Sequence, residues 1–165
     1  MRVLGVDPGL RSTGYGVIAI NGIVHLPGSM ELLEAGVIRT QDKSGIAQRL
    51  KRVHDGLDEV INDLKPDVLA IEKLYAHYRH PATAILMGHV RGVVCLLSGS
   101  KNIPIANVSP THVKKAITGR GHAKKQQLAH MVQRYLGLKS LSGPADATDA
   151  LAIGITYALN SVKMK

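Results

Sequence analysis

The order of apolar segments points to an α/β protein with a five-stranded mixed sheet. Three strand-like segments come first and close together, as in a meander. Two further strand-like runs then alternate with segments of helical period. The first and fourth runs are continuously apolar, as expected of central strands covered on both faces.

Each element has its own signal. Residues 3–6 of "VLGVDPGLRSTGYGVI" form the first run, which ends on Asp7. A tight glycine-containing turn leads to the second, "STGYGVIAI", and "EAGVIRT", residues 34–40, is the third. Ile46, Leu50, Val53, Leu57, Val60, Ile61 and Leu64 recur at steps of three and four, the mark of an amphipathic helix, and Pro66 follows its end. "DVLAIE", residues 67–72, is a buried-type strand that again ends on an acid. Residues 82–97 read as a helix and residues 103–108 as a strand. Ser109 followed by Pro110 predicts an N-cap with proline at the first helical position. Short helices are expected over 111–118 and 123–136, and a final helix over 145–161 after the loop "GLKSLSGPAD". This order fits an RNase H-like layer fold. It predicts one domain over residues 1–165, the usual size for a single core.

Composition narrows the function classes. The chain has 21 Lys and Arg against 12 Asp and Glu, a net charge of +9, and a pI near 9.9. Such a balance suggests an anionic partner, nucleic acid first. There are five Tyr but no Trp or Phe, so the core must be aliphatic and each Tyr stands out. The one cysteine, Cys95 in "VVCLL", excludes an internal disulfide and reads as a small buried hydrophobe. No signal-peptide pattern is visible, and by this reading no apolar stretch approaches the roughly 20 residues that span a bilayer. The expected compartment is the cytoplasm.

Four carboxylates carry the chemistry. Asp7 and Glu72 end the first and fourth strands; if those strands are neighbours, the two acids lie side by side. "PADATDALAIGIT" places Asp146 and Asp149 at i and i+3, on one face of the last helix. Taken singly, Asp7 is also a turn-former before Pro8–Gly9, and Asp146 or Asp149 a helix cap. Glu72, following "VLAI", has little local work to do. Two like charges about 5 Å apart repel by roughly 3 kcal/mol at an effective dielectric near 20. Hard divalent cations relieve this, and all-oxygen sites suit Mg²⁺ or Mn²⁺, two of which could serve phosphodiester hydrolysis.

Other stretches are candidate nucleic-acid contacts. "GRGHAKK", residues 119–125, puts two glycines before a helix start with Lys124 and Lys125, where backbone N–H groups and the dipole favour phosphate. "YAHYRHPAT", residues 75–83, joins Tyr75 and Tyr78 to Arg79, His77 and His80 beside an acid. Tyr75 is read as a ring that stacks on a base; Tyr78 reads equally as stacking or core-capping. The histidines show no metal-ligand spacing. Gly88 and Gly92 lie four apart on their helix, where another helix can approach closely.

"GVDPGLRSTGYGVI", "AGVIRT", "AIEKLY", "GHVRGV" and "DATDALAIGIT" together resemble, in order and spacing, the RuvC family of Holliday-junction resolvases. A lone D-x-G would be weak, since actin-like ATPases share such a loop; the set covers nearly the whole chain. The resemblance implies an RNase H-like fold, a homodimer, and Mg²⁺-dependent nicking of opposite strands of a four-way DNA junction beside the RuvA–RuvB branch-migration machinery. It carries the catalytic acids to Asp7, Glu72, Asp146 and Asp149. Basic positions map to Lys114 and to Lys125, with Lys124 adjacent. Where relatives typically have Phe beyond the fourth strand's acid, this chain has Tyr75. It also implies that the helix with Gly88 and Gly92 meets its copy in a second subunit. The competing classes are an RNA-directed nuclease of the same fold, an ATP-binding domain and a non-catalytic binding module.

Overall fold

In the computed structural model, residues 1–21, 24, 28–74, 81–141 and 143–161 are described. Five strands form one sheet in the order β3-β2-β1-β4-β5. They are β1 (Arg2–Asp7), β2 (Ser12–Ile20), β3 (Met30–Arg39), β4 (Val68–Glu72) and β5 (Ile105–Val108). The first three pair antiparallel, while β4 runs parallel to β1 and β5 parallel to β4. The helices are α1 (Ile46–Leu64), α2 (Pro81–Lys101), α3 (Pro110–Thr118), α4 (Lys125–Tyr135) and α5 (Ala145–Ser161). The mixed five-stranded sheet is therefore as the sequence predicts.

The sheet separates two aliphatic cores. Val3, Val68 and Ala70 face α3, α4 and α5; Leu4, Val6, Leu69 and Ile71 face α1 and α2. Strand alternation then dictates where the terminal acids go. Asp7 follows Val3 and Gly5 on the α5 side, and Glu72 follows Val68 and Ala70 to the same side. With Val6 opposite Ile71, the two acids sit one step further along adjacent strands.

Helix ends follow their local chemistry. α1 stops where Lys65 turns left-handed at φ 47° and donates to the Ile61 carbonyl, just before Pro66. Ser109 accepts from the His112 amide at the start of α3, with Pro110 in the first turn. Gly119, φ 74°, closes that helix by donating to Lys115. So one of the two loop glycines serves as a C-cap.

Four expectations need correction. β3 begins at Met30, not residue 34, because an extra residue between the Val17–Glu34 and Ile18–Leu32 pairs breaks the alternation that marks a strand. α2 continues past 97 to Lys101, where Asn102 turns left-handed at φ 55° and Ser98 bonds the Ile103 carbonyl at 2.6 Å. Cys95 is exposed, because it lies on the side of α2 that the chain leaves open. Residues Ala82–Lys101 are, by length and composition, apolar enough to cross a membrane, with mean hydropathy 1.5. Here that helix packs Val90, Val94 and Leu97 into the α1-side core. Its Arg91 is bonded to the ends of β4 and β5.

Candidate active site

α5 brings the second pair of acids to the strand ends, and glycines decide how closely. A Cβ on Gly5 would lie 2.1 Å from the Ala150 carbonyl oxygen, and one on Gly14 only 2.0 Å from that of Asp146. A Cβ on Gly16 would meet Leu151 at 2.5 Å. Only bare backbone lets α5 lie this flat on β1 and β2. Carboxylate oxygens of Asp7, Asp146 and Asp149 consequently lie within 4.8 Å of one another. Ser12, at the start of β2, donates from its hydroxyl to the Asp146 carboxylate and fixes that rotamer.

Glu72 flanks this trio and feels Asp149 electrostatically. The backbone beneath it is held from α2, where Arg91 Nη1 donates to the Glu72 carbonyl at 2.8 Å and Nη2 to the Asn107 side chain. Burial, then the charges of Glu72, Asp149 and Asp146, push the Asp7 carboxyl from its ordinary 3.8 up to about 7. Burial, then Asp149, raise Glu72 as well, with Lys114 opposing. Without a cation the site therefore holds a proton that carboxylates normally give up.

Lys125 Nζ lies 3.5 Å from Asp149, and Lys114 is close enough to act on Glu72. Both predicted lysines thus arrive at the acids, although neither is near them in sequence. Lys124 is exposed at the N-cap of α4, its amide donating to Gln127 at 3.0 Å. Tyr75, Tyr78, Arg79, His77 and His80 lie outside the described residues. Ser12, Arg91 and the three sheet glycines were not among the expected site residues. Alternation along β2 could have found Ser12, two residues before Gly14 on the α5 side.

A cleft of about 770 Å³ opens from Asp7 and Asp146, along the β1–β2 turn, to Asp42 and Arg49. Three further carboxylates around the desolvated Asp7 carboxyl, with a largely exposed lysine as the closest cation among the described residues, suit a hard divalent ion better than the lysine. An exposed ion pair of that kind is worth only about 0–1 kcal/mol and yields readily.

Comparison with known proteins gives one consistent answer. A family model described as crossover junction endodeoxyribonuclease RuvC matches residues 3–157. The crossover junction endodeoxyribonuclease RuvC of Rhodopirellula baltica is 44% identical over 153 residues, 93% of this chain and 83% of that protein. Thermus thermophilus RuvC superposes with a TM-score of 0.90 at 34% identity, covering 99% of this chain and 97% of that one. The same protein in complex with Holliday junction substrate gives a TM-score of 0.89 at 32% identity, covering 99% and 96%. In sequence over most of its length, in the RNase H-like fold and in the matched span of acids, this chain belongs to the RuvC family of crossover junction endodeoxyribonucleases.

Proposed function

We propose that the protein is a structure-selective endonuclease that resolves four-way DNA junctions by paired hydrolysis on opposite strands, in DNA recombination and repair. The observation that carries this reading is the acid cluster of Asp7, Asp146 and Asp149 beside Glu72, at the strand ends of a chain with net charge +9. Family membership and the junction complex of the Thermus thermophilus relative support it.

Asp7, Glu72, Asp146 and Asp149 would hold the metal: Mg²⁺, two ions per chain, with Mn²⁺ able to substitute. Bound there, divalent cations supply the positive charge that lets four acids share a site and offset charge developing on the phosphate. The chain's own residues do the positioning. Ser12 orients Asp146, and Arg91 anchors the end of β4. Lys125, Lys114 and Lys124 approach phosphates, with Arg79 a further contact. Tyr75 stacks on a base near the branch point.

Two matched nicks need two equivalent sites, which a two-fold dimer provides. On α2, Ile85, His89, Gly92 and Leu96 recur at steps of four, three and four, all on exposed positions. Ile85 is 61% exposed and Leu96 63%. A Cβ on Gly92 would meet nothing within 4 Å. That spacing is the seam of two packed helices, and we take the partner to be the same helix of a second copy. Gly88 is turned inward instead, toward Leu74. The working unit is one nuclease domain over 1–165, dimeric, acting in the cytoplasm beside the RuvA–RuvB complex.

The deciding experiment uses a synthetic mobile four-way junction with Mg²⁺, read on a sequencing gel beside a plain duplex. Paired nicks at matching positions of opposite strands, absent from the duplex, are expected. Equal cutting of both substrates, or none, would overturn the reading.

A further inference from the structure

The far end of the active-site cleft is basic, and none of the residues assigned so far explains it. Arg11 stands in the β1–β2 turn, four residues beyond Asp7, with 81% of its side chain exposed. Its guanidinium forks onto Asp42, Nε at 3.1 Å and Nη2 at 2.9 Å. Arg49 of α1 takes the same carboxylate at 3.2 Å but is only 13% exposed. Its Nε also donates to Thr40 Oγ1 at 2.9 Å. Thr40 in turn clamps the turn to the end of β3, its hydroxyl donating to the Leu10 carbonyl at 2.5 Å and its amide to the Arg11 carbonyl at 3.1 Å. Two guanidinium groups against one carboxylate leave a net charge of +1, fixed in the wall of the cleft that holds Asp7 and Asp146.

We propose that Arg11 and Arg49 form a second phosphate site, which takes a neighbouring phosphate of the strand cut at the acids, and that Asp42 holds Arg11 in reserve until DNA arrives. The proposal rests on the nuclease reading and adds to it a contact separate from Lys114 and Lys125, neither of which lines this cleft. An exposed ion pair is weakly held, whereas a planar guanidinium binds a phosphate through two charge-assisted hydrogen bonds. Exchange of Asp42 for phosphate therefore runs downhill. Arg49, immobilised by Thr40, keeps a cation in place while Arg11 moves. Asp42 also repels the strand until the exchange occurs, which lowers binding to DNA that does not reach the turn.

The two partners of one ion pair should then shift DNA binding in opposite directions. A fluorescent synthetic four-way junction is titrated in EDTA, where no cutting occurs, across a range of salt. Arg11→Ala should weaken binding about tenfold and flatten the log–log salt slope by about 0.9, one phosphate's worth. Arg11→Gln, which keeps a hydrogen bond to Asp42 without the charge, should do the same. Asp42→Asn should tighten binding about threefold. If the pair only ties two loops together, all three variants melt slightly earlier and bind alike; that result, or an unchanged slope in Arg11→Gln, overturns the proposal. A plain duplex titrated in parallel separates the two readings. Loss of junction preference in the unmodified protein, with the opposite shifts retained, counts against the junction assignment and leaves the phosphate site standing.

Discussion

Asp7 is the residue on which the site turns, because it is the most desolvated acid and the one that every other acid acts on. Its carboxyl titrates at about 7 in the folded protein against 3.8 ordinarily. The folded state therefore binds more protons than the unfolded state between those values, so metal-free stability falls as pH rises from about 4 to about 7. Thermal melts in EDTA across that window should show the decline, and Asp7→Asn should flatten it. Divalent ions compete with the proton, so added Mg²⁺ should raise the melting temperature most at the upper end of the window. Asp149→Asn addresses chemistry instead of stability. It removes a proposed metal ligand and its exposed ion pair with Lys125 but leaves every lysine charge in place, so single-turnover junction cleavage should fall below about a thousandth of normal while the Kd measured in EDTA stays within about threefold. Cutting at the normal rate would remove Asp149 from the catalytic set.

At the scale of elements, the decisive contact is α5 on β1 and β2. With an Asp146 carbonyl 2.0 Å from where a Gly14 Cβ would sit, Gly14→Ala must lift the N-terminal turn of α5. Overpacking of this kind costs about 1–3 kcal/mol, or roughly 5 °C for a chain of this size. The same lift moves Asp146 off its place, and displacements near 1 Å cost about 100-fold in rate. Calorimetry and single-turnover cleavage on one preparation should show both losses; full activity in the folded fraction would mean that α5 adapts. The lysines of α3 and α4 act differently. Lys114 and Lys125 reach the acids from separate helices, so Lys114→Ala and Lys125→Ala should each flatten the salt dependence of junction binding by about one unit. A slope that does not change would take that lysine off the phosphate path.

For the whole molecule, the open face of α2 is the feature that a single chain leaves unfinished. Leu96→Glu puts a charge in the proposed seam of Ile85, Gly92 and Leu96 without disturbing Val90, Val94 or Leu97 beneath. Sedimentation should show a dimer for the unmodified protein at micromolar concentration and a monomer for Leu96→Glu, with paired nicking replaced by single nicks. A monomeric unmodified protein, with and without junction, would exclude α2 as a dimer seam. Arg91 ties this helix to the Glu72 carbonyl, so the open face of α2 and the acid-bearing end of β4 share one connection.

Much of this was written into local sequence. Period-two alternation puts Asp7 and Glu72 on one side of neighbouring strands, and the i, i+3 spacing of Asp146 and Asp149 puts both on one helix face. These follow from backbone geometry, which is why the acids were legible in the sequence, whereas that β1 and β4 are neighbours was a condition that the sheet supplied. Packing decided the rest. Nothing in "TGYG" announces that Gly14 makes room for a carbonyl more than 130 residues away, or that Ser12 will bind Asp146. Arg11, Asp42 and Arg49 meet only because Thr40 pins a turn to a strand end. Cys95 reads as core because hydropathy records that a side chain avoids water, not whether its own chain or another covers it. Local patterns repeat with the backbone and survive in one dimension; contacts between distant segments exist only once the layers close.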